Sequence, residues 1–218
     1  TRKAVRHAAA LPGAPLVIAT GCVASLFADD LAALAPNVRV EKDKGSVAAL
    51  AVRELGLAEA GSGAEVACAA PTPTGRTRPG IKIQDGCDNR CSYCSIPNIR
   101  GSLRSRSTES VLAEAQNLID NGTKELIIIA QDTTAFRRDK GEKDAAAKLI
   151  QGLDKLKGDY WFRLMYLHPA SVTDAIVGAM ADAERMVRCV EMPLQHISDR
   201  ILLSMGRKVG EAATREAV

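Results

Sequence analysis

Aromatic residues are scarce in this sequence, at 3% of its 218 residues. Because hydrophobic residues still make up 46% of the chain, branched aliphatic residues and alanine must fill its core. No apolar run approaches the length of a membrane-spanning helix. The net charge of +3 is too small to indicate nucleic-acid binding by itself. These features are ordinary for one or two globular domains.

The sequence also lacks the cysteine framework of a secreted disulfide protein, and its six cysteines favour a reducing cytoplasm. Cys87, Cys91 and Cys94 form a CxxxCxxC spacing in the stretch IKIQDGCDNRCSYCSIPNIRG. Thiolates are soft ligands that suit iron–sulfur clusters and zinc. Structural zinc nearly always has four protein ligands, and no fourth Cys or His lies close by. Three thiolates on a four-iron cluster would leave one iron open for a ligand, whereas a disulfide with a spare cysteine is disfavoured in a cytosolic chain.

The order of apolar runs and turn residues predicts two domains. Strands at residues 16–19 and 38–40 alternate with helices at 29–35 and 46–57, which indicates a small α/β unit with a parallel sheet. Residues 61–80 are rich in Gly, Pro, Thr and Ala and are predicted to be a linker. The predicted division is therefore residues 1–60, the linker 61–80, and residues 81–218.

The region from residue 81 onwards repeats a strand–helix pattern. The predicted strands are residues 81–83, 125–130, 161–167 and 189–194. Four strand–helix units of this kind indicate part of a parallel (β/α) barrel. Sites in such barrels form at the C-terminal ends of the strands. The polar residues at those ends are Cys87, Cys91, Cys94, Gln131, Asp132, His168, Gln195 and His196. We therefore expect the chemistry of this chain on one rim.

The cysteine spacing, with Tyr93 before the last cysteine, resembles the signature of radical S-adenosylmethionine (SAM) enzymes. The following IPNIRG, with Ser105 and Arg106 beyond it, is similar to the methylthiotransferase branch. This resemblance implies that the three cysteines hold a 4Fe–4S cluster and that the amino and carboxylate groups of SAM chelate its open iron. Electron transfer then cleaves SAM to methionine and a 5′-deoxyadenosyl radical. The implied fold is a truncated α/β partial barrel of the radical SAM type, preceded by the remnant of a small α/β methylthiotransferase domain.

The resemblance extends to other single residues. Tyr93, Gln131 and Gln195 are expected on the side of the SAM cofactor, although the residues after Gln131 also suit a turn or helix cap. Cys22, in the string VIATGC, matches the third cysteine of a second 4Fe–4S cluster in the N-terminal domain of this family. Its two partners would precede the first residue, so the chain is expected to be a fragment that holds one cluster well and the second poorly. A lone cysteine is more often structural, and Cys68 and Cys189 receive no role.

Two strings bear on the substrate. RLMYLHP and PLQHIS resemble the methylthiotransferases that modify the β-carbon of an aspartate in a small-subunit ribosomal protein. The tRNA-modifying relatives usually have Ser-Gly-Ser after the glutamine, where this chain has residues 196–198, His-Ile-Ser. The only aromatics near this rim are Tyr166 and Trp161, and strand alternation predicts that one of them is buried. The pocket is therefore expected to suit a small side chain better than a flat base.

Three functions stay open on the sequence alone. The main prediction is aspartate methylthiotransfer, the alternative is methylthiotransfer to a tRNA adenosine, and the third is an iron–sulfur electron-transfer or scaffold protein. The two enzyme readings imply an external electron donor such as flavodoxin or ferredoxin, and a sulfur donor. The resemblance also implies that a C-terminal substrate-binding module lies outside this chain.

Overall fold

The computed structural model describes residues 1–57 and 77–218, apart from the side chain of Lys44. The described residues form two compact units, one on each side of residues 58–76. Cys68 and most of the predicted linker lie outside the described residues, so the three-part domain division stays a prediction. Among the helices of the described part, none is long and apolar enough to cross a membrane.

The first unit is a small α/β structure, as its sequence predicts. Strands β1 (Val17–Thr20) and β2 (Val38–Glu41) pair in parallel, with Val17 opposite Val38. The helices of this unit are α1 (Arg2–Ala9), α2 (Cys22–Leu26), α3 (Ala28–Ala32) and α4 (Val47–Glu54). Buried aliphatic residues from its helices and strands form a core of their own, in which Leu31 is fully buried.

The second unit contains a three-stranded parallel sheet in the order β3–β6–β7. These strands are β3 (Gly80–Lys82), β6 (Glu125–Ile129) and β7 (Trp161–Leu164). A short antiparallel pair, β4 (Gln84–Asp85) with β5 (Arg104–Ser105), follows β3. The helices of this unit are α5 (Ile96–Arg100), α6 (Thr108–Asp120), α7 (Ala145–Asp154), α8 (Asp174–Asp182), α9 (Asp199–Ser204) and α10 (Glu211–Glu216). Parallel strands joined by helices confirm the partial barrel predicted for this region.

The core of the second unit lies between the sheet and helices α6, α7 and α8. Strand β6 is a continuous apolar run after its first residue, which is typical of a strand covered on both faces. Leu126 and Ile128 of this strand are fully buried, and so is Phe162 of β7. The strand ends are therefore held rigidly, and so are the loops that follow them.

The predicted fourth strand, residues 189–194, is wrong. Only an isolated bridge, Phe162 with Met186, continues the sheet at this side. Beyond it, Leu167 donates a backbone hydrogen bond to the Glu191 carbonyl oxygen at 3.0 Å, but no ladder forms. Pro193 has no backbone N–H and restricts the residue before it, so this part of the run is a poor strand despite its apolar residues.

The N-terminus of α6 offers a test of a local prediction. The Ser107 side chain accepts a hydrogen bond from the Ser110 backbone N–H, as expected for a helix cap. Replacing Ser107 with Ala should lower the free energy of unfolding by about 1 kcal/mol, because one helix N–H loses its partner. Urea unfolding followed by fluorescence of Trp161, the single tryptophan, reports on this unit. Ser198→Ala is the matched control, because Ser198 precedes α9 without a side-chain cap bond, and equal losses in both variants would contradict the prediction.

Candidate functional site

A pocket of about 390 Å³ opens at the C-terminal ends of the strands in the second unit. It brings together all the site residues that the sequence predicts in this unit, namely Cys87, Cys91, Tyr93, Cys94, Gln131 and Gln195. His168, another predicted rim residue, lines it as well. Residues from three separate strand ends thus converge on one cavity, as expected for a (β/α) barrel.

The three cysteines lie on the cysteine loop, defined here as residues 86–95. Gly86 begins it with φ +73°, a conformation that favours glycine. The Cys87 N–H donates to the Gly101 carbonyl oxygen at 3.2 Å, and the Cys94 N–H donates to the Cys91 carbonyl oxygen at 3.0 Å. The thiol-bearing backbone is therefore ordered by its own hydrogen bonds.

Asp132 contacts the cysteine loop through a hydrogen bond with Asn89. Its side chain is 1% exposed and accepts hydrogen bonds from Asn89 Nδ2 at 2.7 Å and from the Thr134 hydroxyl. Its carbonyl oxygen accepts from Gln84 Nε2 at 2.7 Å. Asp132 therefore connects the loop after β6 to the cysteine loop, while its neighbour Gln131 lines the pocket itself.

The segment after α9 contacts the cysteine loop from a second side. The Ser92 N–H donates to the Met205 carbonyl oxygen at 2.8 Å, and the Ser92 hydroxyl donates to the Ser204 carbonyl oxygen at 3.1 Å. Arg207 follows, donating through Nη1 to the Tyr93 hydroxyl at 3.2 Å. Sequence reasoning did not select Arg207, which follows an ordinary helix end. Its contact with Tyr93 joins residues 114 positions apart, so no local pattern indicates it.

The surroundings of the Cys87 thiol favour its protonated form. Burial raises the pKa of the Cys87 thiol, and a backbone hydrogen bond at Asn89 opposes this shift. The Asp132 carboxylate and the other two cysteines raise the pKa further. Binding a metal centre would therefore have to displace a proton. Within residues 1–57 and 77–218, no group of three or more Cys, His, Asp or Glu side chains is spaced to hold a metal ion. Three soft thiolates that line one pocket are a donor set of the kind that iron–sulfur clusters use.

The aromatic residues differ from the sequence expectation. Neither Tyr166 nor Trp161 is buried, since their exposed fractions are 45% and 44%. Strand β7 ends at Leu164 and Tyr166 adopts φ +63°, so strand alternation no longer applies to it. Tyr166 lines the pocket together with Tyr93, whereas Trp161 does not. The prediction that one of Tyr166 and Trp161 is buried is therefore wrong, and Tyr166 joins Tyr93 in the pocket lining.

Two other predicted residues are not among those that line the pocket. His196 does not line it, and its Nδ1 accepts a hydrogen bond from the Ser198 N–H at 2.9 Å. Cys22 belongs to the first unit, where it is exposed and begins α2 directly after Gly21. No other cysteine occurs among residues 1–57, so the role of Cys22 in a second cluster stays a prediction.

His168 has a defined orientation in the pocket. Its Nδ1 accepts a hydrogen bond from the Ala170 N–H at 3.2 Å, so the proton of the neutral ring is on Nε2. Burial lowers the pKa of His168; Asp132 opposes this shift, whereas Arg207 and Arg138 reinforce it. The imidazole is therefore neutral at pH 7.

This pKa shift predicts how stability depends on pH. The unfolded chain binds the His168 proton near the ordinary pKa of 6.5, above the folded value, so the contribution of His168 to stability is lost as the pH falls through and below 6.5. Nuclear magnetic resonance titration of the ring protons, assigned with His168→Gln, should show a midpoint below 6.5. A midpoint at or above 6.5 would contradict the burial of this ring.

Comparison with known proteins agrees with this geometry. The family model described as "Radical SAM superfamily" matches residues 81–218. In fold, the chain is similar to the cobalamin-dependent S-adenosylmethionine radical enzyme OxsB, whose solved structure has aqua-cobalamin and S-adenosylmethionine bound. That likeness has a TM-score of 0.71 at 14% identity and covers 93% of this chain and 34% of OxsB. The chain belongs to the radical SAM superfamily, whose members use SAM and an iron–sulfur cluster.

Within that superfamily, the chain is similar to proteins named ribosomal protein uS12 methylthiotransferase RimO. It is 36% identical to the one from Syntrophotalea carbinolica over 93% of this chain and 47% of that protein. It is 34% identical to the one from Desulfitobacterium hafniense over 88% of this chain and 45% of that protein. With the Thermotoga petrophila protein the identity is 46% over 58% of this chain and 30% of that protein. The chain therefore spans less than half the length of these relatives.

Proposed function

We propose that this chain is part of a radical SAM methylthiotransferase that adds a methylthio group to the β-carbon of an aspartate in the small-subunit ribosomal protein uS12. The observation that carries the proposal is the pocket in which three cysteines, two glutamines and a tyrosine meet at one barrel rim. Similarity to RimO proteins over 93% of the chain supports the choice of reaction.

In this proposal, Cys87, Cys91 and Cys94 hold the 4Fe–4S cluster and leave one iron for SAM. When bound, the cluster and SAM supply a carbon radical that can remove a hydrogen atom from an unactivated carbon. Tyr93 and Gln131, which both line the pocket, contact the cofactor in this proposal. Such positions matter because the orientation and distance of the substrate carbon dominate the rate of this step.

The remaining residues of the site orient and shield the reacting groups. Asp132 and Asn89 keep the cysteine loop in place through their 2.7 Å hydrogen bond. Gln195 lines the pocket with φ +70°, a strained conformation for a residue other than glycine. We propose that this backbone directs the Gln195 amide towards the SAM ribose. Apolar lining from Ile96 and Leu167 limits the access of water.

A second candidate is methylthiotransfer to a tRNA adenosine with the same cofactors. One observation favours it: Tyr93 and Tyr166 both line the pocket and are about half exposed, at 51% and 45%. Such rings are surfaces on which a flat base can stack. The strings RLMYLHP and PLQHIS and the RimO relatives favour the aspartate instead.

The proposed partners follow from the reaction. The substrate is the ribosomal protein, free or in the small subunit, and tRNA is the alternative. Reduction of the cluster needs an external electron donor such as flavodoxin or ferredoxin, and the transferred sulfur needs a donor. We propose a cytoplasmic location, since free thiols and ribosomal substrates both belong to that compartment.

Deletion of the gene in its host tests the proposal. Mass spectrometry of both candidate substrates should show that the methylthio group disappears from the ribosomal aspartate while the tRNA adenosine is unchanged. Loss from tRNA alone would reverse the assignment. No loss from either substrate, combined with no SAM cleavage by the reduced protein, would favour an electron-transfer or scaffold protein.

A further inference from the structure

Arg207 is a buried cation that forms no ion pair with any residue that the structure describes. Its residue is 6% exposed, and it lies in the lining of the pocket. Its Nη1 and Nη2 donate to the Tyr93 hydroxyl at 3.2 Å and to the Pro193 carbonyl oxygen at 3.0 Å, both uncharged. Its buried Nε finds no hydrogen-bond partner among the described residues. Because buried arginines are almost always paired with an anion, this one indicates an anionic ligand.

A second donor in the same pocket is also unused. The neutral His168 ring carries its proton on Nε2, since Nδ1 accepts from the Ala170 N–H. This Nε2 is buried and, within the part of the chain that the structure describes, has no hydrogen-bond partner. A buried donor left unpaired destabilises the fold, and a ligand that accepts a hydrogen bond from it would remove this cost. His168 and Arg207 are close enough to influence each other electrostatically.

We propose that Arg207 and His168 together bind a carboxylate group of a ligand in this pocket. A carboxylate has two oxygens, and each of these two side chains has one buried nitrogen without a partner among the described residues, Nε of Arg207 and Nε2 of His168. The two hydrogen bonds of Arg207 hold its guanidinium plane in place and leave Nε as the nitrogen without a partner among the described residues. The ligand group must be small and terminal, because Arg207 is almost fully buried.

Two ligands of the proposed function carry such a carboxylate, namely the methionine end of SAM and the side chain of the substrate aspartate. The choice of these two sources rests on the proposed function. Because a charge-assisted hydrogen bond to a buried anion is strong, the affinity for either ligand would depend strongly on Arg207. Neutral flat ligands such as an adenine ring would not depend on it in this way.

Binding measurements on the anaerobically reconstituted chain test the proposal. Equilibrium dialysis measures the affinities of two pairs of ligands. The first pair is SAM and decarboxylated SAM. The second pair, measured with SAM present, is a peptide spanning the target aspartate and the same peptide with asparagine in its place. In the unaltered chain, SAM should be preferred over decarboxylated SAM in any case, because its carboxylate also chelates the open iron, so the test is the change of each preference in the variant. Arg207→Gln should reduce one of the two preferences by about tenfold to a hundredfold, because a charge-assisted hydrogen bond is lost. The affected pair identifies the source of the carboxylate.

Further variants separate binding from folding. Arg207→Lys keeps the charge and should retain part of the preference, and His168→Gln keeps a donor that His168→Ala loses. Arg200→Gln, at an exposed position of α9 outside this pocket, is the matched control and should leave both preferences unchanged. Iron content and unfolding midpoint are measured for every variant.

Two outcomes would overturn the proposal. If Arg207→Gln leaves both preferences as in the unaltered chain, the guanidinium binds no carboxylate. If it instead empties the chain of iron while Arg207→Lys restores the cluster and leaves both preferences unchanged, the cation serves the cluster. Neither result depends on methylthiotransfer, so a failure of the proposed function, seen as absence of product in the deletion experiment, is distinguishable from a failure of this inference.

Discussion

Cys91→Ala is expected to reduce the iron bound by the anaerobically reconstituted chain from about four atoms to near zero. Cys91 lines the pocket between the other two thiols, and the turn after it is closed by the hydrogen bond from the Cys94 N–H. With two thiolates left, two irons of the cluster would lack protein ligands. The broad visible absorption of the cluster should disappear together with the iron.

Cys189→Ala is the matched control for this experiment. Cys189 is an exposed free cysteine of the same unit that does not line the pocket, so its loss should leave the iron content unchanged. Unchanged iron in Cys91→Ala would contradict a cluster on this loop, as would stoichiometric zinc in the unaltered chain. About eight irons per chain would show that a second cluster forms as well.

Gly86→Ala is expected to lower the free energy of unfolding of the second unit by at least about 3 kcal/mol. A Cβ at this position would lie 2.7 Å from the Gly101 carbonyl oxygen and still closer to that of Ser102. Both neighbours are backbone atoms and cannot move aside as a flexible side chain can. Since Gly86 begins the cysteine loop, the same change should also impair iron binding.

Gly101→Ala separates the steric effect from the backbone conformation. Gly101 has φ +74°, almost the same as the +73° of Gly86, but a Cβ there meets nothing within 4 Å. Its cost should therefore be only the conformational one, roughly 1–3 kcal/mol for a backbone at φ +74° and ψ −163°. Urea unfolding followed by Trp161 fluorescence measures both variants. Equal losses would show that the close approach of the Ser102 carbonyl has no consequence for stability.

Local patterns predicted most of the regular structure because their physical causes are local. Strand β6 follows from a continuous apolar run, and α8 begins where the Thr173 side chain caps the Ile176 N–H. The exceptions lie where tertiary partners decide. Residues 189–194 resemble a strand in composition, yet only the bridge at Met186 joins the sheet.

The exposure of the aromatic residues could not be read from strand alternation. Alternation holds only while the strand continues, and β7 ends two residues before Tyr166. The positive φ of Tyr166 then turns its side chain into the pocket lining. A correct prediction would have required the residue at which β7 ends. That residue depends on the backbone hydrogen-bond partners in neighbouring segments.

The metal-site chemistry predicted for this chain rests on residues that are close in sequence. Cys87, Cys91 and Cys94 lie within eight positions of each other, so their spacing already indicates the kind of metal centre they can hold. Only the tertiary structure decided what surrounds them. The contacts of Arg207 with Tyr93 and of Asp132 with Asn89 join residues 114 and 43 positions apart. No periodicity or spacing records such pairs, because they form only when the strand ends and the segment after α9 pack around one cavity.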